Sequence, residues 1–239
     1  MEIKKIVVCG DSFCSAQSKD NQHFSNILAD HGYEVINLAR GSMTNTGICF
    51  QIKQAIALRA DIVIFNQTDS SRLDVALYPS PSPDITLKNF IYHFPDDSSF
   101  GSKYVGDITS NILADNAVGL SNQRPDSLIN VSNSVVTAVK NYYAFIFDRY
   151  LSEEKDRWMF GYWKNCLSTA SIPYVELTPS GIGHEIFEYI KKNPDKRNQK
   201  VYHTTVEPQQ KVAQAIVSEI QRLTSCTNTV QCTHANTDS

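Results

Sequence analysis

The sequence predicts an α/β fold: a three-layer sandwich built on a parallel sheet of four or five strands. Three Val- and Ile-rich runs, Lys5–Cys9, Tyr33–Leu38 and Asp61–Asn66, each stop abruptly at a polar turn. Segments with helical spacing follow the first two turns, so strand and helix alternate within about the first 70 residues, which implies right-handed crossovers and parallel pairing. The length of 239 residues and the hydrophobic content of 41% suit one such domain with a sizeable core.

The first run reads as a buried strand ending at Gly10-Asp11-Ser12. Ligands bind at the carboxyl edge of open α/β sheets, so a serine there faces a cleft. Gly10 allows a sharp turn, and Asp11 can accept neighbouring backbone N–H bonds. Ser12 is the candidate nucleophile; an ordinary strand-to-helix turn with Ser12 as N-cap is the alternative. Asn21–His31 has helical spacing of Phe24, Ile27 and Leu28 and closes on Gly32. After the second strand, the turn Ala39–Asn45 leads into a helix with Ile48, Ile52, Ala55 and Ile56 on one face. The third strand ends in Gln67–Arg72.

From Leu77 to Asp126 the rhythm is lost and Pro79, Pro81 and Pro83 interleave with serines. A loop of that length reads as an insertion at the active-site edge. Helical periodicity returns over Ser127–Ala170, where Val131, Val135, Val139 and Tyr143 share a face. The aromatic residues Phe145, Phe147, Tyr150, Trp158 and Trp163 are assigned to the core. Ile172–Leu177 is the fourth strand, Gly183–Lys192 a helix, and Glu207–Leu223 a last helix with Val212, Ile216 and Ile220 inward. The organisation is one domain over 1–223 with an insertion at 77–126 and a flexible tail at 224–239.

The net charge of −3 gives no electrostatic case for nucleic acid. No apolar run approaches the roughly 20 residues that span a bilayer. The first strand begins without a cleavable hydrophobic leader, so a cytoplasmic location is expected. Of the six cysteines none forms a Cys-x-x-Cys pair. Cys9 falls in the core strand, and reduced thiols are expected, although Cys226 and Cys232 could pair. A serine nucleophile needs a base. His203, just before the last helix, is the best-placed histidine, since a late loop at the same sheet edge can reach Ser12. His184 lacks the second histidine of a zinc-peptidase helix, and His23, His31, His93 and His234 read as surface or loop.

Taken together, Gly10-Asp11-Ser12, Asn37–Ser42, Asn66–Asp69 and His203 before Glu207-Pro208 resemble, in order, the blocks of the SGNH, or GDSL-like, hydrolase family. The resemblance covers Lys4 to Leu223. It implies a flavodoxin-like fold, Ser12 as nucleophile and His203 as base. It further implies an oxyanion hole from the N–H groups of Ser12 and of Gly41 or Ser42, with the side chain of Thr68 or Asn66. No metal and no organic cofactor is implied. The substrate class implied is a small ester or acylated carbohydrate that loses acetyl. Compact relatives of this kind are encoded by bacteriophages and marine bacteria, which extends the expected setting to a virion, with a homo-oligomer or an assembly partner.

Two positions depart from the pattern. Lys200 stands where the family has aspartate three residues before the histidine, and Thr68 stands where it has asparagine. Asp195 or Glu207 could supply the orienting carboxylate. A rival reading is a non-catalytic module of the same fold, binding glycans or serving as a virion component. A domain binding a phosphate compound is weaker, because the chain lacks a glycine-rich phosphate cradle.

Overall fold

The computed structural model describes residues 3–15, 23–39, 43–72, 75–76, 85–87, 91–92, 104–105, 129–131, 137, 141–192 and 206–234. The chain divides into two compact units, one of Met1–Gly41, Ile48–Gln67 and Gly161–Ser239, the other of Ser42–Gly47 and Thr68–Phe160.

The first unit holds a four-stranded parallel sheet in the order β2-β1-β3-β9, from β1 (Lys5–Cys9), β2 (Glu34–Asn37), β3 (Ile62–Asn66) and β9 (Tyr174–Leu177). All four sit where the apolar runs place them. Burial follows the order: β3 is buried throughout and β1 nearly so, whereas the outer β2 is half-exposed. Ile6, Val8, Ile62, Ile64, Val175 and Leu177 pack on one face. They meet Phe24 and Leu28 of α1 (Phe24–Asp30), Ile186 of α4 (His184–Lys192), and Val212, Ile216 and Ile220 of α5 (Val206–His234). Period two sends Val7, Cys9, Val63 and Phe65 to the opposite face. There α2 (Asn45–Ala57) brings Cys49 beside Cys9, and α3 (Arg149–Thr169) sets Lys164 Nζ 5.9 Å from the Phe65 ring centre. The fold is therefore α/β with helices on both faces of the sheet. Gly32, at φ +92, closes α1 as its position in the sequence predicts, with its N–H donated to Ala29.

The second unit contains short antiparallel ladders: β4 (Val75–Ala76), β7 (Tyr104–Val105) and β6 (Ile91–Tyr92) in one, β5 (Ile85–Leu87) and β8 (Ile129–Val131) in the other. Three corrections to the sequence reading follow. Ile129–Val131 is a strand paired with Ile85–Leu87, not the start of a helix; an Ile-Asn-Val triplet satisfies either period, and the cross-strand partner decides. The aromatic residues are not all core: Phe145, Tyr150 and Trp158 are 82%, 73% and 70% exposed. Asp156, Phe160 and Leu167 define the inner stripe of α3, and Trp158 lies about 200° around the helix from Asp156. Finally, α5 continues past Leu223 to His234, and within it the Thr224 and Ser225 hydroxyls donate to the Ile220 and Gln221 carbonyls.

Cys9, Cys14, Cys49 and Cys166 are not in disulfides. The side chains of Cys226 and Cys232 lie outside the described residues. Among the described residues, no helix is long and apolar enough to cross a membrane, and no cluster of three His, Cys, Asp or Glu could hold a metal ion.

Candidate functional site

β1 ends on Cys9, and the chain turns through Gly10 at φ +150, a backbone state that L side chains rarely adopt. The turn also brings two elements against the backbone. A Cβ on Gly10 would lie 2.0 Å from Asn66 Oδ1 and 2.8 Å from Cys14 Cβ, so only glycine fits.

Asp11, fully buried, acts as the sequence predicts. Its Oδ1 accepts the Phe13 N–H at 3.0 Å and one Asn66 amide hydrogen at 3.0 Å, while its carbonyl accepts the Cys14 N–H at 3.1 Å. Asn66, last residue of β3, returns the contact by accepting the Asp11 N–H at 3.2 Å, and gives its other amide hydrogen to the Gln67 carbonyl at 3.1 Å. Both hydrogens of the proposed oxyanion donor are thus engaged in holding the loop. Asn66→Ala should cost roughly 2–4 kcal/mol, since it removes the side-chain acceptor of the buried Asp11 N–H and one donor to the buried Asp11 carboxylate. Urea unfolding measures it, and a loss under about 1 kcal/mol would contradict this role.

The N–H of Gly10 is donated to Gln51 Oε1 on α2 at 2.6 Å. Gln51 was missed in the sequence reading; the available signal is a glutamine on the same buried helix face as Ile48, Ile52 and Ala55. Ser12 itself is half-buried in the loop. Cys14, two residues on, is no rival nucleophile. Burial, reinforced by the neighbouring Asp11 carboxylate, pushes its thiol well above the ordinary range.

A second network holds the far side of the loop. Asn37 Nδ2 donates to the Cys14 carbonyl at 2.8 Å and to Ser25 Oγ at 3.2 Å. His23, read from sequence as a surface residue, is instead buried as the N-cap of α1. Its Nδ1 accepts the Ser25 N–H at 3.2 Å, and its Nε2 lies 3.4 Å from the Phe13 carbonyl, so the Nε2–H tautomer satisfies both. Burial lowers its pKa from 6.5 to about 4, against the smaller raising effect of the Phe13 carbonyl.

The sign follows. Between pH 6.5 and about 4 the unfolded chain takes up a proton that the folded chain refuses, so stability rises with pH across that window. The contribution is complete above pH 6.5, and about 3 kcal/mol is lost on acidification through the window. Urea midpoints of wild type and His23→Gln at pH 7 and pH 4.5 measure it. Equal pH dependence in the two proteins would contradict it.

Thr68 belongs to the second unit, where Asn45 brackets its backbone: Oδ1 accepts the Thr68 N–H at 2.8 Å and Nδ2 donates to its carbonyl at 3.0 Å. Asn45 Nδ2 also donates to the buried carboxylate of Asp156 at 2.6 Å. Asn45, Asp69, Ser70, Arg72, Lys155 and Asp156 line a shallow polar depression. Burial disfavours the charged form of Asp69, but the Ser71 hydrogen bonds and the Arg149 and Arg72 guanidiniums outweigh it and keep that carboxyl below its usual range.

Of the other candidates, Gly41, Ser42, Asp195, Lys200 and His203 lie outside the described residues. Glu207 is exposed and pairs with Lys211 at 3.1 Å. His184 is exposed at the start of α4, with Nδ1 2.9 Å from the Pro179 carbonyl.

No protein-family model and no curated protein matches the chain. Among solved structures, the crystal structure of TesA is similar over 28% of this chain and 41% of that chain, with 24% identity and a TM-score of 0.24. The aligned part is a minority of both molecules. That likeness assigns no family.

Proposed function

We propose that the chain is a serine hydrolase of the SGNH type that removes small acyl groups, acetyl foremost, from a carbohydrate. The observation that carries the reading is the loop after β1. The N–H groups of Gly10, Asp11, Phe13 and Cys14 are all spent inside it, on Gln51, Asn66 and Asp11. A turn so heavily constrained, at the carboxyl end of an interior strand, presents Ser12 in one geometry, as a nucleophile requires.

In the reaction, Ser12 Oγ attacks the ester carbonyl carbon while His203 takes its proton. By the sequence resemblance alone, the donors to the tetrahedral oxyanion are the N–H groups of Ser12 and of Gly41 or Ser42, with the side chain of Thr68 or Asn66. Collapse expels the alcohol, protonated by His203, and leaves an acyl-serine. Water, deprotonated by the same histidine, then releases the carboxylic acid and restores Ser12. The preference for acetyl and for sugars rests on the sequence resemblance alone.

Labelling with a fluorophosphonate serine probe tests the reading: wild type should be labelled and Ser12→Ala should not. A second reading is a non-catalytic module, binding glycans or serving in a phage particle. Lys200 in place of the orienting aspartate favours it, because an imidazole without that partner lacks its fixed tautomer. Absence of labelling would select it.

A further inference from the structure

We propose that Gln51 is a positioning residue that sets the conformation of the Ser12 loop through the Gly10 N–H. Its functional consequence rests on the reading of Ser12 as nucleophile; its structural content does not. Gln51 is 2% exposed, and its Oε1 takes the Gly10 N–H at 2.6 Å. Its Nε2 is buried without a hydrogen-bond partner, the one such side-chain atom among the described residues. An unmatched buried donor costs about 1–3 kcal/mol. A methionine of similar volume would fill the same space without that penalty. The feature that an apolar side chain cannot supply is the acceptor oxygen, which anchors the residue where the backbone takes its positive φ.

Gly10 has no side chain to hold it, and its conformational freedom is the widest of any residue. Asn66 fixes the next N–H, that of Asp11, from β3. Gln51 fixes the preceding one from α2. The two amides thus clamp consecutive peptide groups from two elements, and Ser12 follows directly. Loss of the Gln51 acceptor frees the first peptide to rotate, and Ser12 then samples poses that do not react.

The test compares Gln51→Met, which removes the acceptor, with Gln51→Glu, which keeps an acceptor oxygen in the same place. In Gln51→Met the maximal rate of fluorophosphonate labelling should fall about 10- to 100-fold, the equivalent of the one lost bond. The probe concentration at half-maximal rate should stay within about twofold, a split that loss of folded protein would not produce. Gln51→Glu should recover most of the rate. Hydrogen exchange of the Gly10 amide, referenced to Val7 and Val8 in the same strand, should speed up at least tenfold in Gln51→Met only.

Unchanged labelling and unchanged Gly10 exchange in folded Gln51→Met overturn the proposal. If wild type is not labelled, the hydrolase reading falls while the exchange ratio still decides the role of Gln51. Should Gln51→Met not fold, Gln51→Asn withdraws the acceptor by one methylene and is read in the same way.

Discussion

Gly10→Ala should destabilise the fold by more than about 3 kcal/mol, a large share of the 5–15 kcal/mol typical of a whole domain. Two penalties combine. The backbone at φ +150 is strained for any L side chain. The new methyl would also stand 2.0 Å from Asn66 Oδ1 and 2.8 Å from Cys14 Cβ, far inside contact distance. Neither neighbour can give way: Asn66 is pinned by its bonds to Asp11 and Gln67, and Cys14 is fully buried. Gly32→Ala is the matched control. It too has a positive φ, +92, but nothing lies within 4 Å of its added carbon, so it should cost only about 1 kcal/mol. Soluble yield and urea midpoints of both variants measure the difference. Equal losses would show that the close approach at Gly10 contributes nothing.

Ser12→Ala should lower acetyl-ester turnover about 10³- to 10⁶-fold while leaving the urea midpoint within about 0.5 kcal/mol. The asymmetry arises because the bonds that Asp11, Asn66 and Asn37 make to the loop stay in place when the half-buried hydroxyl is removed. His203→Ala should fall to a similar floor, and the double variant should be no slower than either single one, as for residues that act in one step. Lys200→Asp should raise turnover if that carboxylate meets the imidazole. A wild type no faster than Ser12→Ala, across several acyl esters and acylated sugars, would transfer the assignment to the non-catalytic module.

The strands and the turn at Gly10-Asp11 were legible because their signals are local. A β-branched run that stops at Gly-Asp-Ser needs no distant partner to be read, and Asp11 makes the backbone bond that its short carboxylate suggests. What escaped depended on partners far along the chain. His23 looks like a polar loop residue until Phe13 and Ser25 are placed around it. Gln51 looks like one more polar position on a helix until Gly10 arrives, 41 residues earlier in sequence. The aromatic residues of α3 were misassigned because size alone does not say which side of a helix is covered; the buried Asp156 does. Thr224–His234 lacks an apolar stripe, so hydrophobic periodicity does not register the continuation of the helix there.

The pairing of β3 with β9 has a bearing on how the chain is made. Ile62–Asn66, Ile-Val-Ile-Phe-Asn, is uncharged, free of Pro and Gly, and buried along its whole length. One side pairs with β1, but the other is covered only by Tyr174–Leu177, more than 100 residues later in synthesis. Until then the nascent chain presents an open, sticky sheet margin of the kind that recruits other chains. A fragment ending before Tyr174 should aggregate rather than remain as a soluble half-sheet, and a ribosome-bound chain needs shielding for the several seconds that the intervening stretch takes at ~5–20 residues per second.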